Sequence, residues 1–197
     1  MKAVMPNVPD HILEWRRRTG ADRFDEMWEG VLHMAPVPNR DHQDFAFLLA
    51  IWLRLNWAIP SGCRVHLEIY IAEEGTWPDN YRVPDLVLLT PTRFHIDRNE
   101  YFDGGPDAVV EIHSPGDEAH EKLEFYAKIG VREVWIIDRD TRQPQIYQLI
   151  GNEFESREPD SAGWLKSDVV GAEMRAAADE KLEICIVGRH DTLEKLP

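Results

Sequence analysis

Two carboxylates stand where strands should be apolar. Glu111 interrupts "PDAVVEIHS" (residues 106–114), and Asp85 follows a proline in "RVPDLVLLT" (residues 82–90). Alternation along a strand puts Val109, Glu111 and His113 on one face and Ala108, Val110 and Ile112 on the other. The same alternation groups Asp85 with Val87 and Leu89. A carboxylate inside a sheet is costly unless it is paired, protonated or bound to a metal. One such acid has an ordinary explanation, a structural salt bridge. Two on adjacent strands, with Lys122 on the helix that follows, fit the hard oxygen chemistry of a divalent cation better.

A second Pro-Asp pair competes for the partnership. Asp107 lies four residues before Glu111, about 13 Å along an extended strand, too far to share one ion. Asp107 is therefore expected at the strand start. Asp85 lies 26 residues upstream, with "PTRFHIDRNEYFDGG" (residues 91–105) between. That length lets the chain reverse and set the two acids side by side. Plainer readings stand beside these. Asp85 also reads as a turn cap after Pro84, Lys122 as a solvent-facing lysine paired with an acid, and Tyr126 as packing. His113 reads as a ligand, a base or a hydrogen-bonding partner. His42 and Gln43 open a helix, where capping accounts for them as well as function does.

The elements that must position these residues read as follows. The first 25 residues look helical and polar and carry Arg16, Arg17 and Arg18, a run whose default role is a solvated face. "DEMWEGVLHMAP" (residues 25–36) is a hairpin turning at Gly30, and "PVPNR" (residues 36–40) a break. A helix follows, with Asp41 as N-cap, a stripe of Phe45, Leu48, Leu49, Trp52, Leu53 and Leu55, and an end at Pro60 and Gly62. "CRVHLEIYIA" (residues 63–72) alternates as one strand, with Val65, Leu67, Ile69 and Ile71 on one side. In "PGDEAHEKLEFYAKIG" (residues 115–130), Asp117 is expected to cap a helix of about 12 residues that Gly130 stops. "REVWIID" (residues 132–138) is a buried strand, so strand, helix and strand make a βαβ unit whose strands are parallel. "PQIYQLIGNEFES" (residues 144–156) is a hairpin, and "KLEICIVG" (residues 181–188) one further strand. The expected class is α/β, a mixed sheet with helices packed on it. One domain over residues 1–197 is expected, with a core at about 24–150 and a strand-rich extension at 151–197.

Composition bounds the rest. A chain of 197 residues with 43% hydrophobic content can build one ordinary core. No run approaches the roughly 18–20 apolar residues of a membrane span. "MKAVMPNVPDHILEWRRR" lacks the apolar segment and cleavage site of a signal peptide, so a soluble, cytoplasmic protein is expected. Cys63 and Cys185 are too few for a disulfide framework and have no CxxC spacing. Acids outnumber bases 36 to 22, a net charge of −14. That balance lowers the expectation of tight, unassisted nucleic-acid binding, which phosphate contacts dominate.

The order of the motifs adds a resemblance. "DEMWEGVLHMAP", His42-Gln43, "VPDLVLL", "PDAVVEIHSP" and "EKLEFYAKIGVREVWIID" together resemble the Uma-type putative restriction endonuclease family of the PD-(D/E)XK nuclease superfamily. The resemblance covers about residues 24–150, with a looser match through "GWLKSDVVG" (residues 163–171). It implies a restriction-endonuclease-like core, a central mixed sheet flanked by helices, and DNA hydrolysis dependent on Mg²⁺ or Mn²⁺. Asp85 and Glu111 match the family's metal-binding acids, and the carbonyl of Ile112 completes the implied ligands. The superfamily's usual lysine, two residues after the Glu, is replaced by His113. Lys122 matches the lysine this family carries on the next helix. Glu26 and Gly30 match the early hairpin, whereas Val31 stands where the family often has an acid and carries no role. In such chemistry a cation on two carboxylates neutralises the phosphate, and a lysine orients water or stabilises developing charge. Tyr126, one turn from Lys122, is a supporting candidate. The implied partners are DNA and a second copy of the chain, since cutting two strands uses two sites. The alternative is a nuclease fold with little or no catalysis, serving as a binding or regulatory protein or as a subunit of a larger assembly. The missing lysine at 113 and the charge of −14 motivate it.

Overall fold

The computed structural model describes residues 3–6, 8–34 and 38–197. The chain begins with β1 (Ala3–Pro6), α1 (Asp10–Thr19) and the hairpin β2 (Glu26–Trp28) and β3 (Val31–Met34). α2 (Arg40–Leu53) runs on through a π-helical turn, Arg54–Ala58, into α3 (Ile59–Ser61). β4 (Arg64–Leu67), β5 (Tyr70–Ala72), β6 (Tyr81–Arg82) and β7 (Leu86–Leu89) come next. A 3-10 turn, Pro91–Ile96, then leads to β8 (Tyr101–Asp103) and β9 (Ala108–His113). α4 (Leu123–Lys128) connects β9 to β10 (Glu133–Asp138). The chain ends in β11 (Pro144–Ile150), β12 (Glu153–Ser156), β13 (Leu165–Lys166), β14 (Ala172–Ala176), β15 (Leu182–Ile186) and β16 (Arg189–Leu196).

The central sheet has the order β12-β11-β10-β9-β7-β4. β9 and β10 are parallel, as a crossover through α4 requires, and every other neighbour pair in this sheet is antiparallel. The fold is therefore α/β with a mixed sheet. β7 pairs with β9 so that Leu86 faces Val110 and Val87 faces Val109. One step further along that register brings Asp85 opposite Glu111.

Each face of the sheet is covered. Leu86, Leu88, Ala108, Val110 and Ile112 pack against Phe45, Leu49, Trp52 and Leu53 of α2 and against the sheet β13-β14-β15-β16. Val87, Leu89, Val109 and Ile136 pack against Phe125 and Tyr126 of α4 and against Phe102. Glu111 alternates with Val110 and Ile112, so it belongs to the α4 face. The third sheet, β1-β3-β2-β6-β5-β8, brings Glu26 to that same face. Among the described residues no helix is long and apolar enough to cross a membrane.

Several expectations change. The opening segment is a strand before it is a helix, because β1 pairs with β3. The break at "PVPNR" falls partly on residues 35–37, outside the described residues. Asn39, not Asp41, caps α2, accepting a hydrogen bond from His42 N at 2.9 Å. Asp41 is exposed and pairs with Arg40 instead. Leu55 leaves the buried stripe and lies exposed within the π-helical turn. "CRVHLEIYIA" is not one strand. Glu68 takes a positive φ of 49°, and the chain passes from the edge of the central sheet into the third sheet. Alternation across that joint fails, so Ile71 is buried while Leu67 is exposed.

The helix expected over residues 115–130 shrinks to Leu123–Lys128. The carboxylate of Asp117 accepts from Ser114 N and from Ala119 N at 3.1 Å, and so closes a loop turn rather than a helix end. The C-terminal segment holds four strands, where one was expected. Glu133 ties it to the sheet: this buried carboxylate accepts from the Ser167 hydroxyl, from Asp168 N at 2.8 Å and from Trp135 Nε1 at 2.7 Å.

Candidate active site

β9 carries Glu111 into the layer beneath α4, where it is 5% exposed. Lys122 Nζ donates to Glu111 Oε2 at 2.9 Å, and the Tyr126 hydroxyl donates to Oε1 at 2.5 Å. Lys122 is the N-cap residue of α4, and Tyr126 N donates to its carbonyl at 3.0 Å. Residues four apart share a helix face, which is why both side chains reach the same carboxylate. Lys122 Nζ also lies 2.8 Å from Glu26 Oε1. Glu26 is held in turn by Val83 N on Oε1 and by Trp28 Nε1 on Oε2, both at 2.8 Å. The hairpin turn of Glu29 and Gly30, with φ of 50° and 84°, fixes the strand that presents Glu26.

The distance between β9 and α4 is set nearby. A Cβ at Gly105 would fall 2.3 Å from the carbonyl oxygen of Ile129, so the chain entering β9 lies directly against the chain leaving α4. No larger residue permits that approach.

Asp85 is held by two donors. His42 Nε2 lies 2.8 Å from its Oδ1, and Ile112 N donates to its Oδ2 at 2.6 Å. In a strand the N–H and C=O of one residue point the same way, so the Ile112 carbonyl is directed toward the Asp85 side as well. His42, Asp85, Glu111, Ile112 and Lys122 all line one cleft of about 500 Å³.

Burial dominates the electrostatics. It pushes the Glu111 carboxyl up to about 8; Lys122 opposes that rise, and the Asp85 and Glu26 charges reinforce it. Burial alone would pull Lys122 down, but Glu111 and Glu26 outweigh it and hold the ammonium charged. Burial and then the Glu111 charge push the Tyr126 hydroxyl far up, so it stays a donor. His42 is pulled down by burial and raised further by the Asp85 carboxylate on its ring, ending above its ordinary value.

Asp85, Glu111, Lys122, Glu26 and Tyr126 are thus brought together. His113 is not. Its ring bonds Asp117 at 2.6 Å and meets the His120 ring edge-on, and it makes no hydrogen bond to Glu111 or Lys122. Asp107, set aside as a partner for Glu111, sits at the strand start. There its carboxylate accepts from Thr90 N at 2.7 Å and from Arg132 Nη1 at 3.1 Å. His42 is the residue whose place sequence reasoning left open. The signal was its spacing: His42, Phe45, Ala46 and Leu49 share the buried face of α2. Arg139 also lines the cleft and gave no signal in the sequence.

Two carboxylates and a carbonyl are hard oxygen donors, the type that Mg²⁺ or Mn²⁺ prefers. They suit such a cation in kind. Among the described residues no group of three or more His, Cys, Asp or Glu side chains converges to hold one. All four carboxylate oxygens of Asp85 and Glu111 have donors or ring nitrogens of the protein on them.

Comparison with known proteins bears on the fold and the family. The crystal structure of a putative nuclease belonging to DUF820, from Anabaena variabilis, superposes with a TM-score of 0.58 at 22% identity, covering 74% of this chain and 82% of that one. At that identity the likeness is one of fold. No curated protein matches the sequence. The model of the Uma2 family, described as "Putative restriction endonuclease", matches residues 9–177, and the chain belongs to that family.

Proposed function

We propose that this protein is a divalent-metal-dependent endonuclease that hydrolyses DNA phosphodiester bonds, with Asp85, Glu111 and Lys122 at the reacting centre. The observation that carries the reading is the buried Glu111 carboxylate, held 2.9 Å from the Lys122 ammonium at the floor of a cleft that Asp85 also lines. Asp85, Glu111 and the Ile112 carbonyl would hold Mg²⁺ or Mn²⁺, which supplies charge neutralisation at phosphate and an acidified water. Lys122 keeps its proton and serves as a fixed positive charge beside the attacked phosphate. Glu26 and Tyr126 are positioning residues: Glu26 anchors the lysine, and Tyr126 fixes the rotamer of Glu111. His42 does the same for Asp85. His113, bonded to Asp117, is not assigned a role in the proposed step. Cleavage of supercoiled and linear DNA with Mg²⁺ or Mn²⁺, wild type against Glu111→Ala, tests the reading. Loss of cleavage in the variant is expected, and equal cleavage by both would sink the assignment.

Two observations favour a second reading, a nuclease fold without catalysis that binds or regulates. The two metal-binding carboxylates are already satisfied by protein groups, and the chain carries −14. Calorimetric titration with Mn²⁺ separates the two. Binding that Glu111→Gln abolishes supports the enzyme; a wild type that binds no cation supports the second reading.

A further inference from the structure

The helix that brings His42 to Asp85 carries a different feature on its outer side. Phe47, Ile51, Leu55 and Ile59 follow one another at four-residue spacing and are 57%, 37%, 59% and 60% exposed. In a plain α-helix each four-residue step overshoots one turn by about 40°, so such a row winds away around the axis. Here the turn Arg54–Ala58 is π-helical, with more residues per turn, and the last step swings back. The row therefore stays on one side of the helix. Between Phe45 and Cys63 the sole charged residue is Arg54, in a chain where 29% of residues are charged.

An outward helix face is normally polar. A contiguous apolar strip instead marks a surface that something covers. At about half of ~150–200 Å² per large side chain, the four residues expose roughly 300–400 Å², up to half of the ~800 Å² one partner contributes to a standard interface. Further surface adjoins the strip. Leu48 and Asn56 lie half-buried beside the strip, and α2 packs against β4, the edge strand of the central sheet, whose Leu67 is exposed.

We propose that this strip is the contact surface of a homodimer, with α2 of each copy crossing antiparallel about a two-fold axis between Ile51 and Leu55. A second copy is the occupant that fits. The strip has one chemistry from end to end and reads alike in both directions, so a two-fold sets Phe47 against Ile59 and Ile51 against Leu55. Charge points the same way. Two chains of −14 repel each other, and a strip without acids is where they can touch. A basic partner would seek an acidic face, not this one. The proposal does not depend on what the cleft does.

Sedimentation velocity of the full chain, from low to high micromolar concentration and at low and high salt, tests it by mass. The expected result is a concentration-dependent dimer that strengthens with salt, because salt screens the like charges. Ile51→Lys alone or Leu55→Glu alone should each weaken the dimer about 30-fold or more. Both residues are exposed, so circular dichroism should match wild type, and melting temperature should match at concentrations where the wild type is monomeric. Mixing the two variants should restore a dimer, since the new lysine then faces the new glutamate. A monomer at every concentration would overturn the proposal, as would a dimer indifferent to both substitutions. Dimers lost in the single variants and not recovered on mixing would overturn the antiparallel register.

Discussion

Lys122 Nζ lies 2.9 Å from Glu111 Oε2, and the two residues are 9% and 5% exposed. An ion pair taken this far out of water adds little net stability, but removing one member strands the other charge. The pair is therefore best understood through what happens when it is broken.

Lys122→Met should lose DNA cleavage and about 2 kcal/mol of stability at pH 9.5, since the Glu111 charge that forms above about 8 loses its counterion. The loss should shrink as pH falls, because a protonated Glu111 carries no charge to strand. Urea unfolding at pH 9.5 and at pH 5.5 measures the difference. An equal loss at the two pH values would mean that the missing charge is not the cause.

The wild type should show its own pH dependence. The folded-state pKa of Glu111 is raised from 4.5 to about 8. The stability this proton contributes is fully present below about 4.5 and is lost as pH rises through 8. Cation binding needs the carboxylate, so Mn²⁺ affinity should rise up to about tenfold per pH unit below 8 and level off above it. Calorimetry in buffers of different ionisation heat should detect a proton released at pH 7. No released proton would contradict the buried, protonated Glu111.

Gly105→Ala should cost about 2–4 kcal/mol although the added group is one methyl. The new Cβ would stand 2.3 Å from a backbone oxygen, which cannot swing aside as a side chain can. A melting temperature equal to wild type would show that β9 and α4 separate freely.

Much of the site was legible because strands obey a simple period. The faces of Asp85 and Glu111, the parallel pairing of β9 with β10 and the dismissal of Asp107 all follow from alternation and from what the intervening lengths allow. What was hidden depends on contacts remote in sequence. Glu68 takes a positive φ where the chain leaves one sheet for another, so a clean alternation broke. Asp117 bonds a loop turn, His113 included, and the helix it was to cap begins only after Lys122. His42 meets Asp85 across 43 residues, a distance no local pattern reports.

Removal of Glu133 should act far from the cleft. Glu133→Ala leaves the Ser167 hydroxyl and Asp168 N without their buried acceptor, at about 3 kcal/mol. Limited proteolysis should then cut first in the segment around residues 157–171, while Mn²⁺ affinity stays at the wild-type value. Cleavage elsewhere first would place the link between the two sheets at another residue.

In the proposed enzyme Asp85 and Glu111 hold one divalent cation beside Lys122. Anomalous diffraction from a crystal soaked in Mn²⁺ tests it most directly. One strong peak is expected within bonding distance of both carboxylates and of the Ile112 carbonyl, absent in Glu111→Gln. No peak there, with Lys122 still seated on Glu111 at saturating Mn²⁺, would contradict it.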